Sequence, residues 1–345
     1  NYCRKNRGIL MVRIAVLGCG RIGRMHAANI ANHPTAELAT IYDIQTAAAK
    51  DIAEKLNASV ADSAKAIFID PSIDAVLIAT ATPTHAEYIE AAVKAGKPVL
   101  CEKPIDLSLE RVNSCMKAIA GSSVPVQIGF NRRFDPGHKA ARNAVIAGEI
   151  GDLHQVIITS RDPGMPHRNY WLEAGGIFRD MVIHDFDLAR FMLREEPIEV
   201  FSIGGRLIDP NLMEELQDYD STMTIMRTAT GRQCHINTSR ASNYGYDQRV
   251  ELLGDKGMVQ SQNKKPYELR KFGSTAVEST SLYLEFFIER YKEAFNEELN
   301  AFINSVEKNE PVPVNFEDGR RALILAEAAI KSAVEGRFIK IDEVN

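Results

Sequence analysis

At 345 residues the chain has room for two domains of ordinary size, roughly 150 residues each. A hydrophobic fraction of 45%, a charged fraction of 25%, and only 22 glycines and 14 prolines exclude disordered, collagen-like and low-complexity classes. With 41 basic against 46 acidic side chains the formal charge is −5, which supplies neither the basic field that attracts a nucleic-acid backbone nor an acidic tail.

The leader, residues 1–10, is basic and lacks the apolar core and small-residue cleavage site of a signal peptide. Met11 reads as the start of the fold, and residues 1–10 are expected to be an upstream extension. Val12 to Leu17 is a short apolar run rich in β-branched residues, the mark of a buried strand. It runs into Gly18-Cys-Gly20-Arg-Ile-Gly23 and then an Ala-rich helical stretch, Arg24 to Ala31. A strand over Leu38 to Tyr42 ends at Asp43, and a helix follows over Thr46 to Leu56. Strand Ala75 to Ala79, helix His85 to Ala95, strand Pro98 to Cys101, helix Leu109 to Ala120 and strand Val124 to Ile128 continue the alternation. Strands alternating with helices predict a parallel sheet covered on both faces.

After about Asn131 the rhythm changes. A helix over Pro136 to Ala147 and a strand over Leu153 to Ser160 lead to a loop containing Pro and Gly, then a helix around Ile183 to Leu193. Strands follow one another over Val200–Arg206, Ser221–Thr228, Gln233–Ser239, Val250–Leu253, Met258–Gln260 and Glu268–Lys271, with turn signals at Thr230-Gly231 and Gly254-Asp255. Two long helices close the chain, about Tyr283–Glu307 and Glu317–Gly336. The expected architecture is an α/β Rossmann domain over 11–131 and an α+β domain over 132–345. The second domain is built on a large, mostly antiparallel sheet with one face open, and its terminal helix can return to the first.

The glycine motif has the context that gives it meaning. It follows a strand, opens a helix, and an acidic residue stands twenty positions after Gly23 at the end of the next strand. Gly18 suits the tight turn, Gly20 the approach of a pyrophosphate, and Gly23 close packing of helix on strand. Arg21 and Ile22 begin the helix whose N-terminus faces the phosphates. Asp43 suits the adenosine ribose hydroxyls and repels a 2′-phosphate, so the expected cofactor is NAD rather than NADP.

Two further segments extend the reading: Cys101-Glu102-Lys103-Pro104 after a strand, and the run from Gly175 through Asp180 and His184 to Asp187. With the glycine motif they resemble the glucose–fructose oxidoreductase and inositol dehydrogenase family over essentially all of Met11 to Asp342. The stretches Ser160–Pro163, Gly176–Arg190, Asn243–Tyr246 and Glu289–Phe295 are most similar to bacterial inositol 2-dehydrogenases. The resemblance implies NAD-dependent oxidation of a cyclic polyol, myo-inositol first, with Lys103, Asp180 and His184 as the catalytic set.

The chemistry suits those residue types. Oxidising a secondary alcohol requires a base for the hydroxyl proton and a partner for the developing alkoxide. An imidazole, with an ordinary pKa of about 6.5, is the natural base at neutral pH. Asp180 and His184 stand at i and i+4, so a helical turn places both on one face. Lys103 follows a parallel strand, at the edge where such sheets bind ligands, and a cis bond before Pro104 would aim it at the nicotinamide.

By resemblance the cofactor also passes Thr80, Thr82, Pro83, His85 and Glu102, and the substrate passes Asn131, Arg133, Arg161, Asp162 and Tyr244. His85 serves equally as a helix-entry residue, and Arg133 and Arg161 equally as interdomain ion pairs. Family members that carry a His at the position of Ser160 and an Asn at that of Asp162 leave the preferred stereoisomer open.

Five cysteines (Cys3, Cys19, Cys101, Cys115 and Cys234) are odd in number and form no CxxC pair, which argues against disulfides and a zinc site and for a cytoplasmic setting. No metal is expected: His167, His184 and their acidic neighbours have no recognised ligand spacing. Trp171 is placed in a loop, as core packing or as a lid. No apolar run approaches the roughly 20 residues of a membrane span. Resemblance implies a homo-oligomer joined through the open sheet face, a homotetramer in preference to a dimer. The alternatives are a dehydrogenase of another inositol isomer or an aldose, and a non-catalytic NAD-dependent sensor.

Overall fold

Strands apolar along their whole length need cover on both faces, and the first third of the chain obtains it by winding helices around a parallel sheet. In the computed structural model, which describes residues 11–344, six strands form that sheet. They are β1 (Val12–Leu17), β2 (Ala36–Tyr42), β3 (Ser59–Val60), β4 (Ala75–Ile78), β5 (Val99–Glu102) and β6 (Val126–Gly129), in the order β3-β2-β1-β4-β5-β6. Every pairing is parallel. The connecting helices are α1 (Arg21–Ala31), α2 (Thr46–Leu56), α3 (Ala64–Ile69), α4 (His85–Lys94) and α5 (Leu109–Ala118). In α1 the buried residues Gly23, His26, Ala27 and Ile30 make the i, i+3, i+4, i+7 stripe of a core-facing helix. Ala27 and Ile30 join β1, β2 and β4 in one apolar cluster. The expectation for residues 1–10, and Cys3 with it, lies outside the described residues.

The chain divides into two compact units, the first running to Phe130 and regaining Phe295–Arg320, the second holding Asn131–Ala294 and the chain from Arg321 on. The second unit carries α6 (Pro136–Ile146), β7 (Leu153–Arg161), α7 (Arg168–Ala174), α8 (Ile183–Leu193), β8 (Pro197–Gly205) and α9 (Pro210–Glu215). The strands β9 (Ser221–Thr228), β10 (Gln233–Ser239), β11 (Asp247–Gly254), β12 (Met258–Ser261), β13 (Arg270–Gly273) and β14 (Ala276–Thr280) follow. After them come α10 (Phe287–Arg290), α11 (Lys292–Lys308), α12 (Phe316–Glu335) and β15 (Ile339–Lys340). The large sheet has the order β12-β11-β7-β10-β9-β8-β15, and only β7 and β10 pair in parallel. Alternation is strict along β9, where Thr222, Thr224 and Met226 are buried while Met223 and Ile225 stand exposed. The inward face packs with α8 in the second core.

Three sequence expectations change. The helix expected over Tyr283–Glu307 begins later, as α10 and α11. Tyr283 and Leu284 are instead hydrogen-bonded to the backbone of Tyr244 and Tyr246 at 2.9 Å each, a ladder that holds them extended. The segment returning to the first unit is Phe295–Arg320, and the division passes through α12 rather than before it. Trp171, expected in a loop, lies in α7 and is buried, the helix ending at Gly175 in the left-handed region (φ 80°).

Candidate functional site

In the first unit the glycine positions are dictated by close backbone approach. A Cβ on Gly18 (φ +102°) would lie 2.3 Å from the Ala79 carbonyl oxygen, and one on Gly23 would lie 2.0 Å from the Gly18 oxygen. At Gly20, by contrast, a Cβ would meet nothing within 4 Å, so this glycine keeps open space in front of the helix. Gly20 is also the N-cap of α1 and no side chain caps it, so the amides around Arg21 and Ile22 retain their dipole for an anion. Asp43 accepts from the Cys19 amide at 2.6 Å and the Gln45 amide at 2.7 Å, which fixes the carboxylate beside that turn. This cradle fits a dinucleotide pyrophosphate with an acidic ribose partner.

The loops after β4 and β5 end at the same carboxyl edge of the sheet. Thr82 and Pro83 lie in a short 3-10 turn, and the Thr80 hydroxyl meets that of Thr84 at 2.7 Å. His85 is buried, with Nδ1 2.8 Å from the Pro104 carbonyl and Nε2 3.0 Å from that of Thr80. Burial lowers its pKa, against the pull of the two carbonyls. The imidazole thus sits between the two loops, with one ring nitrogen facing a carbonyl of each. The Lys103–Pro104 bond is cis, and Lys103 is half-buried. Glu102 reaches back to His26 Nε2 at 2.8 Å.

His26, Glu102 and Glu298 bring ligand-type atoms within 4.8 Å of one another, a cluster not anticipated from sequence because Glu298 arrives with the returning segment. Among the described residues Cys19, Cys101, Cys115 and Cys234 are free and buried. Burial, with Asp43 adding to it, pushes the Cys19 thiol up to about 11, so at neutral pH it stays protonated and packs as a small apolar group.

In the second unit a π-helical turn over Phe178–Val182 leads directly into α8. Asp180 is buried on this turn and His184 is half-buried one turn on, the only residue not buried between Asp180 and Arg190. Asp180 Oδ1 accepts from the Tyr170 hydroxyl at 2.7 Å and Oδ2 from Arg240 Nη2 at 2.6 Å. Arg240 Nη1 also donates to Asp162 at 2.8 Å. Two expected site residues, Asp162 and Asp180, therefore meet through an arginine that motif reading passed over. Its signal was parity: Cys234, Ile236, Thr238 and Arg240 share the inward face, where a charged residue requires a partner.

The remaining expected residues fall elsewhere. Ser160 points inward to Arg132 and Gln248, whereas Arg161, one residue on, pairs with Asn237 at 2.9 Å and the Tyr244 hydroxyl at 2.5 Å on the other face. Tyr244 in turn donates to Asp247 at 3.0 Å. Arg161 and Tyr244 thus share one hydrogen-bonded group with Asp247, and Asp162 and Asp180 share another through Arg240. Arg133 forms a two-point ion pair with buried Asp187, at 2.8 and 2.5 Å. Both members of this pair belong to the second unit. Asn131 is buried at the start of that unit.

A sheet of this order with a glycine turn feeding α1 defines a dinucleotide-binding fold, followed by a second, sheet-based unit. Residues 12–130 match the family model described as an oxidoreductase family with an NAD-binding Rossmann fold, and residues 138–260 match the GFO/IDH/MocA C-terminal domain. The chain belongs to the GFO/IDH/MocA oxidoreductase family, as its motifs implied, and its cofactor is NAD. It is 43% identical over 332 residues to an inositol 2-dehydrogenase of Rhizobium meliloti (strain 1021), covering 96% of this chain and 100% of that one. It is 40% identical to a myo-inositol 2-dehydrogenase of Thermotoga maritima, covering 96% and 99%. A crystal structure of scyllo-inositol dehydrogenase from Lactobacillus casei, with bound NAD(H) and scyllo-inositol, superposes with a TM-score of 0.89 at 28% identity, covering 96% of this chain and 99% of that one. No helix among the described residues is long and apolar enough to cross a membrane.

Proposed function

We propose that this protein oxidises a secondary alcohol of a cyclic polyol, myo-inositol to 2-keto-myo-inositol, with NAD as the acceptor. The observation that carries the reading is the buried Asp180 held on the π-turn that presents half-buried His184, in a chain that keeps Lys103 after β5. NAD, when bound, supplies an electrophilic nicotinamide carbon that accepts the hydride. In this reading His184 takes the hydroxyl proton, Asp180 orients the imidazole and a ring hydroxyl, and Lys103 is the hydrogen-bond donor for developing negative charge. The C–H bonding pair leaves as hydride and the O–H pair becomes the second bond of the carbonyl, so electrons and protons balance. Asn131 and Asp162 supply further polar contacts to the ring. A binding-only sensor has no use for this base and alkoxide partner.

The test is NADH formation with a panel of inositol isomers and aldoses, each with NAD and NADP. Turnover is expected with myo-inositol and NAD. Activity confined to an aldose would discard the inositol assignment, and NAD binding without any turnover would favour the sensor.

The exposed apolar side chains on the outer sheet face, Ile203 on β8 and Met223 and Ile225 on β9, support a homotetramer in which this face meets its counterpart on another copy. Light scattering at micromolar concentration is expected to return four times the chain mass, and a monomer would refute the assembly.

A further inference from the structure

Asp162 follows β7 and Arg240 follows β10, and these strands are the one parallel pair in their sheet. Parallel pairing delivers both residues to the same sheet edge, where the Asp162 amide still bonds the Ser239 carbonyl at 2.9 Å. Arg240 is only 4% exposed, and its guanidinium lies 4.9 Å from the centre of the Trp171 ring. From that seat it donates one arm to Asp162 at 2.8 Å and the other to Asp180 at 2.6 Å. The Tyr170 hydroxyl holds the remaining Asp180 oxygen at 2.7 Å. A planar fork held at both ends by carboxylates and placed over an indole has little freedom to turn, and neither do the carboxylates it holds.

We propose that Arg240 is a positioning residue for the oxidation: by bridging Asp162 and Asp180 it fixes the Asp180 carboxylate on the turn that carries His184. This rests on the proposed reaction, since positioning matters only if Asp180 and His184 act on substrate. A purely structural ion pair would show its loss in stability and in the fraction of protein that binds NAD. A positioning residue shows it in kcat, because a small displacement of a group in the reacting constellation costs rate out of proportion to binding.

The experiment compares wild type, Arg240→Lys and Arg240→Met, using NAD and whichever polyol or sugar of the panel the wild-type protein oxidises. Each protein is also assayed for Tm and for NAD affinity and stoichiometry. Lysine keeps the charge but lacks the fork, so it can serve one carboxylate and not both. Arg240→Lys is expected to lower kcat about 10- to 100-fold, with Tm, NAD affinity and stoichiometry near wild type. Arg240→Met, where it folds, is expected to lose more. If it does not fold, the lysine variant alone decides. A folded Arg240→Lys with wild-type kcat would overturn the inference while leaving the proposed reaction standing, as would one whose lost activity merely tracks lost NAD-binding protein. A wild-type protein with no turnover would overturn the reaction and this inference together.

Discussion

Replacing His184 by Ala is expected to lower kcat by about 10²- to 10⁴-fold, the usual contribution of a positioned general base. The effect should fall on the chemical step. The residues proposed to cradle the dinucleotide, Gly18 to Gly23 and Asp43, belong to the first unit, and His184 belongs to the second. NAD affinity in the variant should therefore match wild type. The side chain is half-buried, at the one point between Asp180 and Arg190 where burial lapses, so its truncation opens little of the core. Exogenous imidazole gives an independent readout, because a small base that enters the vacated space restores part of the rate only when the missing function is proton transfer. A His184→Ala protein turning over within about threefold of wild type would remove the base from the mechanism, whatever the fate of the substrate assignment.

What was legible in advance follows from how far each constraint reaches along the chain. The phosphate turn could be read because it is local. Gly18 and Gly23 lie where a Cβ would collide with backbone, so residue type and spacing are both forced within one βα unit. The parallel sheet was legible for the same reason, its strands being mostly apolar and separated by amphipathic helices.

The carboxylate–arginine clusters were not local. Arg132 meets Asp185, Arg133 meets Asp187, and Arg240 meets both Asp162 and Asp180, all across long stretches of chain. Sequence reading singled out Arg133 and passed over Arg132, although the two adjacent arginines serve two aspartates on the same helix. Likewise α7 was hidden because Pro163, Gly164 and Pro166 mark a loop just ahead of it. Its stability comes from burying Trp171 beneath Arg240, a tertiary contact.

The Arg132–Asp185 pair is expected to carry a large stability effect. Both groups are buried, Asp185 completely, and the Arg132 Nη1 to Asp185 Oδ1 distance is 2.5 Å. The Arg132 guanidinium is the main support of the Asp185 charge, with the Ser160 hydroxyl adding to it. Removing one member of such a pair strands the other. Arg132→Met should cost about 3–5 kcal/mol of unfolding free energy at pH 8, measured by urea titration at fixed protein concentration.

Adding Asp185→Asn should return much of that loss, because the stranded group is then neutral. The dependence on pH has a definite sign. Burial pushes the Asp185 carboxyl up to about 6 despite the opposing pull of Arg132. An acid whose folded pKa lies above its unfolded value binds protons more tightly in the folded state. Its contribution is therefore full below the unfolded pKa and falls as pH rises toward 6. Without Arg132 the folded pKa climbs further, so the window of loss extends upward. The deficit of Arg132→Met relative to wild type should thus be smaller at pH 5 than at pH 8, and the double variant should lack this dependence. A deficit below about 1 kcal/mol at pH 8, or one that shrinks as pH rises, would mean that Asp185 is not the charge Arg132 holds in the core.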